Sequence, residues 1–154
     1  MCGFLGIYGT KEIAQEIYDG LLVIQHRGQD TAGIFTYNGG KMHLKKAEGL
    51  VRDCFSKKDM ELLKGNIGIG HVRYPTIGAG GIEDAQPFQT NSPFGIGLAH
   101  NGNIINFTEL KKELFEKDFR IINSDCDSEV ILNVFASALR TEKIKNELPK
   151  YLWD

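Results

Sequence analysis

The sequence predicts a fold that mixes helices with strands, part of them antiparallel, and three stretches carry that expectation. "AGIFTYNGGKMHLKKAEG" is two alternating runs joined by Asn38-Gly39-Gly40, a hairpin signal because a positive φ costs little for those residues. Between residues 11 and 25 the apolar Ile13, Ile17, Leu21, Leu22 and Ile24 recur at helical spacing, opposite Glu12, Gln15, Glu16 and Asp19. "NIGIGHVRY" and "FGIGLAHNG" are short apolar runs that read as buried strands.

Taken in order, "GFLGIYG" is a first strand, bounded by glycines, and the helix and hairpin follow it. A short amphipathic piece, "KKDMELLKG", precedes the third strand region. "PTIGAGGIEDAQPFQTNSP" fits neither the helical nor the strand period and reads as one long loop, a length usually reserved for function. "NFTELKKELFEK" opens with a capping-box pattern, Asn106 and Glu109, and sets Leu110, Leu114 and Phe115 on one face. "SDCDSEVILNVFASALR" is a last helix whose stripe is Ile131, Leu132, Phe135 and Leu139. Gly68, Gly70, Gly95 and Gly97 interrupt strand patterns, which predicts that another group approaches the backbone closely there.

At 154 residues the chain has room for one domain with a core. A hydrophobic share of 42% and a net charge of −2 describe a globular protein without a basic face, which disfavours nucleic acid and anionic lipid as partners. Cys2, Cys54 and Cys126 are an odd set, spaced too widely for a CxxC metal site, and fit a reducing compartment. With no basic, apolar leader and no run of the roughly 20 apolar residues that a membrane span needs, the expected location is the cytoplasm.

Cys2 is the sharpest chemical signal. Cysteine is often a small core residue, but a second-position cysteine becomes the N-terminus once the initiator is trimmed. Its own α-amine, with a reference pKa of about 7.7–8, then serves as the base for the thiol. The rival base is a histidine. His71 and His100 sit at strand ends, where structural roles are common, and the four histidines lack zinc-finger or helical metal spacing. Other candidates are individually weak. Arg27, in "HRGQD", is compatible with a solvated helix end capped by Gly28. Arg73 ends a strand beside a loop, a position suited to bidentate capture of a carboxylate. Asn101-Gly102 is either a turn or a pair of oxyanion donors. Asp127 is either part of a helix N-terminus or a partner for a substrate ammonium.

Together these motifs are specific. "MCGFLGIYG", "QHRGQDTAGI", "GIGHVRYPT", "AQPF", "LAHNGNIIN" and "SDCDSEVIL", in that order, resemble the glutaminase domain of class II glutamine amidotransferases, a group of N-terminal-nucleophile hydrolases. Within it, "HRGQD" and "GHVRYPT" resemble the branch that begins purine synthesis. The alternatives are the glutaminase half of another synthase, of the glucosamine-phosphate or asparagine type, or an inactive scaffold, which would not need all five of Cys2, Arg73, Asn101, Gly102 and Asp127. The resemblance implies an α+β, four-layer αββα sandwich of mainly antiparallel sheets, with residues 1–154 a partial glutaminase domain and the transferase domain absent. It implies Cys2 as nucleophile, Asn101 and Gly102 as oxyanion donors, Arg73 for the α-carboxylate of glutamine and Asp127 for its α-ammonium. Arg27 and His71 would organise the pocket. Tyr74 and Thr76 would contact substrate at the start of a lid over residues 74–84. No cofactor is implied for this chain, magnesium belonging to the transferase domain, and the full-length enzyme would be a homo-oligomer.

The own-amine mechanism requires a free amine on Cys2. Intact-mass measurement of glutamine-hydrolysing protein is expected to show the loss of one methionine; full activity with Met1 retained would overturn that mechanism.

Overall fold

The protein is described by a computed structural model, over residues 2–74 and 81–141. The elements run β1 (Gly3–Tyr8), α1 (Ala14–Ile24), a 3-10 turn at Gln25–Arg27, β2 (Thr31–Asn38), β3 (Lys41–Glu48), α2 (Val51–Cys54), α3 (Lys57–Leu62) and β4 (Ile67–Arg73). A second 3-10 turn at Ile82–Asp84, β5 (Phe88–Thr90), β6 (Ile96–Leu98), α4 (Phe107–Asp118) and α5 (Asp127–Thr141) follow. One sheet has the order β1-β4-β2-β3 and the other is β5-β6; every pairing between described strands is antiparallel.

Alternation along the strands divides the larger sheet into two faces. Leu5 and Ile7 of β1, Ala32 and Ile34 of β2 and Val72 of β4 meet Ile13, Ile17 and Leu21 in the main core. Ile17 and Leu21 are fully buried, each contributing about 1.5–3 kcal/mol by leaving water. Helix α1 lies this close because β4 carries glycines: a Cβ on Gly70 would stand 2.5 Å from Ile17 Cγ2. The opposite face receives the second sheet, where a Cβ on Gly97 of β6 would stand 2.6 Å from the Phe35 ring. Phe88, Cys126 and Leu132 then join α5 to β5 and β6, while Leu114, Ile122 and Val130 join α4 to α5. The described residues thus stack helix, sheet, sheet and helix, as the resemblance implied.

Several local expectations are corrected. The stretch read as one loop contains the Ile82–Asp84 turn and β5, which at three residues is too short to show alternation. Asn106 makes no side-chain cap: its backbone (φ −108°, ψ 30°) is outside the extended region that aims a capping side chain at the first turn. The capping box belongs to α3, where Ser56 and Asp59 bond reciprocally. On α5 the buried apolar residues are Val130, Leu132 and Ala136, and Phe135 is 49% exposed, because the helix serves two partners and not one. Leu22 and Phe115 are likewise exposed. Gly28 is extended (φ −168°), not left-handed; glycine stands there because a Cβ would meet the Arg73 carbonyl carbon at 2.6 Å. The hairpin is as expected, with Gly39 at φ 53° and Gly40 at φ 139°.

Gly33 is where the sheets are locked together, since a Cβ there would lie 2.1 Å from the Gln86 carbonyl oxygen. Gly33→Ala is expected to cost about 1–3 kcal/mol through overpacking, read as a lower urea midpoint with an unchanged slope. Wild-type stability in that variant would show that the second sheet does not press on β2.

Candidate active site

Pairing of β1 with β4, Gly3 opposite Val72, delivers Cys2 beside the end of β4. The Tyr74 N–H points at Cys2 Sγ (3.4 Å), and the thiol can donate to the Tyr74 carbonyl (3.6 Å). The Cys2 carbonyl accepts from Arg27 Nε (3.2 Å) and from Asn101 Nδ2 (3.0 Å). Cys2 is therefore held by its backbone from two sides while its sulfur faces a cavity.

That cavity measures about 480 Å³ and is lined by Cys2, Arg73, Tyr74, Asn101, Gly102 and Asp127, among others. Six residues expected at the site therefore meet in one place. Arg27 and His71 stand behind them. Thr76 lies outside the described residues, as do Met1 and most of the expected lid. At the far end of that stretch Asp84 is buried at 6% exposure, in the Ile82–Asp84 turn. A larger groove of about 900 Å³, lined by Phe35, Tyr37, Lys41, Met42, Ile69 and Phe94 among others, holds none of the expected site residues, so size does not identify the site.

His71 orients Asn101. Because Asn101 Nδ2 donates to a carbonyl, its Oδ1 faces His71 Nε2 at 3.0 Å, which must carry the proton. One amide hydrogen of Asn101 remains for a ligand. Burial, reinforced by the charges of Arg73 and His100 and opposed by the Asn101 bond, pushes the His71 imidazole down to about 4. It is a neutral, fixed donor and not a general base at neutral pH.

Arg73 is buried and donates through Nη2 to Asp84 Oδ2 (3.3 Å), while Asp84 Oδ1 accepts from the Asp125 amide (3.0 Å). One carboxylate thus ties the cation of β4 to the segment that leads into α5, whose first residue is Asp127. Asp127 Oδ2 accepts from the Ile104 amide (3.0 Å) and Oδ1 is 3.8 Å from His100 Nδ1. Two residues that frame the site, Asp84 and Gln86, escaped the sequence reading because both fell in the supposed loop. A polar residue between Ala85 and Pro87 in "AQPF" was the available signal of a buried amide. Among the described residues, no group of His, Cys, Asp and Glu is placed to hold a metal ion.

A cysteine directly before β1, beside two facing antiparallel sheets that helices cover, defines the N-terminal-nucleophile hydrolase fold. Residues 41–143 match the family described as "Glutamine amidotransferase domain", and the chain belongs to that family. It is 53% identical over 148 residues to the amidophosphoribosyltransferase of Pseudomonas aeruginosa, covering 96% of this chain and 29% of that protein. Against the Escherichia coli amidophosphoribosyltransferase it is 56% identical over 140 residues, 90% of this chain and 28% of that one. A solved structure described as the allosteric regulatory enzyme of purine biosynthesis superposes with a TM-score of 0.74 at 41% identity, covering 85% of this chain and 28% of that one. The Bacillus subtilis glutamine phosphoribosylpyrophosphate amidotransferase, complexed with ADP and GMP, gives 0.73 at 38% identity, covering 86% and 28%. The chain spans under a third of the length of these relatives.

Folded His71 stays neutral as pH falls past 6.5, where the unfolded chain takes up a proton. Its contribution is complete above that pH and is lost as pH falls toward 4, a change of about 3 kcal/mol at 1.36 kcal/mol per unit. Unfolding free energies measured between pH 7 and 4 are expected to fall more steeply for wild type than for His71→Gln, which keeps a donor and does not titrate. Parallel curves would show that His71 is protonated in the fold.

Proposed function

We propose that this chain is the glutamine-hydrolysing part of an amidophosphoribosyltransferase, releasing glutamate and ammonia. The observation that carries the reading is the convergence of Cys2, Asn101, Arg73 and Asp127 on one cavity. Free glutamine is a zwitterion, so its site needs a cation, an anion and donors at the reacting amide. Arg73 takes the α-carboxylate and Asp127 the α-ammonium, with Tyr74 and Thr76 as further substrate contacts.

Cys2 Sγ attacks the side-chain amide carbon while the α-amine accepts the thiol proton, directly or through water. The oxyanion takes the free Asn101 amide hydrogen and the Gly102 N–H. Collapse breaks the carbon–nitrogen bond, the α-ammonium protonates the leaving nitrogen, and ammonia departs. Water activated by the same amine then cleaves the thioester, which returns the thiol and yields glutamate. The sequence of steps calls for no cofactor; magnesium would serve only the transferase region of the longer relatives.

The acceptor site of such a transferase lies in a region that these residues do not include, and the ammonia passes to it. Phe4 (54% exposed), Tyr8 (78%) and Ile67 (41%) present an apolar strip on β1 and β4 that further chain would cover. No helix among the described residues is long and apolar enough to cross a membrane. The reading places the enzyme in the cytoplasm, as a homo-oligomer in its full-length form.

Arg73→Lys keeps the charge without the planar fork, and Arg73→Ala removes both. Glutamine kcat/KM is expected to fall in both, by roughly 10²–10³-fold for Arg73→Ala, while alkylation of Cys2 by iodoacetamide is little changed. Equal losses in the two assays would mean that Arg73 supports the fold and does not read the substrate.

A further inference from the structure

We propose that Gln86 is the positioning residue for the oxyanion donors Asn101 and Gly102, an assignment that rests on the glutaminase reading of the site. Gln86 is 4% exposed and spends both ends of its carboxamide on one residue. Its Nε2 donates to the His100 carbonyl (3.0 Å) and its Oε1 accepts from the His100 N–H (2.7 Å). This is the bonding of a strand neighbour made by a side chain. The β5–β6 ladder pairs Phe88 with Leu98, so continuing its register sets residue 86 opposite residue 100. Pro87 has no N–H to extend the ladder, and the Gln86 main chain is drawn against Gly33. The side chain bridges the gap that this leaves.

The anchor is stiff at its other end. With its carbonyl against Gly33 of β2, Gln86 transmits the position of the larger sheet to the strand end after β6. The restrained residue stands directly before Asn101, and the His100 ring lies over Gly102, where a Cβ would meet Nε2 at 2.4 Å. Cys2 and His71 hold the Asn101 side chain, but neither bonds the main chain that sets the Gly102 N–H. Gln86 also approaches Cys126 Sγ (3.8 Å), next to Asp127. An oxyanion donor works only when fixed to within about 0.5 Å, and displacement by an ångström costs on the order of 10²-fold in rate.

Gln86→Met fills the same volume without either bond. In the purified protein it is expected to lower kcat for glutamine hydrolysis by about 10–100-fold with KM and the iodoacetamide reaction of Cys2 near wild type. Gln86→Glu supplies the pH readout. A protonated carboxyl can donate to the His100 carbonyl and accept from its N–H, whereas a carboxylate can only accept, so activity relative to wild type should rise as pH falls. The ionisable groups around it are Cys2, Arg73, His100, Asp125, Cys126 and Asp127 in the cavity, with Asp84 on the flanking segment and Lys46 of β3, which donates to the Ala85 carbonyl. Wild-type kcat in Gln86→Met, or a folded Gln86→Glu whose relative kcat is flat with pH, would overturn the role of Gln86 alone. Wild-type protein without glutaminase activity would overturn the reading of the site, and the role of Gln86 with it.

Discussion

Cys2, the proposed nucleophile, stands near the start of the chain and must be kept from fraying, and the β1–β4 ladder supplies that constraint. Terminal residues are usually the least ordered part of a domain. Here the strand begins one residue after Cys2 and pairs along its whole length, from Gly3 opposite Val72 to Tyr8 opposite Ile67. The Cys2 carbonyl, which the ladder does not occupy, is taken by Arg27 and Asn101. These two donors come from different layers, the turn after α1 and the segment after β6. A cysteine tied in this way has a fixed main chain and a sulfur that faces the cavity, which a loop cysteine would lack.

The same ladder explains the glycines of β4. Its inner face must let α1 approach closely enough to bury Ile17 and Leu21 completely, and Gly68 and Gly70 provide the space. Its outer face carries His71 and Arg73, polar groups that must be buried if they are to act on a ligand between the sheets. Burying a cation is expensive unless it is paired and hydrogen-bonded. Asp84 meets that requirement for Arg73, and its second oxygen takes the Asp125 amide. The pairing thus joins a strand to the start of α5, so the element that satisfies a buried charge also sets the separation of the two charged groups facing the cavity.

Much of this was legible from residue patterns, for reasons that differ by element. The β2–β3 hairpin was readable because Gly39 and Gly40 adopt backbone angles that few other residues tolerate, and α1 because one face meets one partner. The stripe on α5 was misread because that helix packs against a sheet and a helix at once, which widens its apolar band past a single face. Gly28 was misread because its reason is a close contact with Arg73, more than 40 positions away in the sequence, and not its own torsion angles. Six of the residues that line the cavity, Cys2, Arg73, Tyr74, Asn101, Gly102 and Asp127, were nameable through ordered motifs. Asp84 and Gln86 were not, because their importance lies in partners that local periodicity does not encode.

The polar groups at the cavity obey one rule: each is held by partners that leave a reactive valence unused. His71 spends Nε2–H on the Asn101 oxygen, which turns the amide so that its nitrogen points at Cys2. That nitrogen spends one hydrogen on the Cys2 carbonyl and keeps the other. A protonated His71 would leave this geometry intact but would place a second buried cation near Arg73. The same burial that depresses its pKa therefore protects the electrostatics of the site. Asp127 accepts from a main-chain amide and retains lone pairs toward the cavity. A site so preorganised arranges its donors before substrate arrives, which is how fixed dipoles stabilise developing charge without reorganising during the reaction.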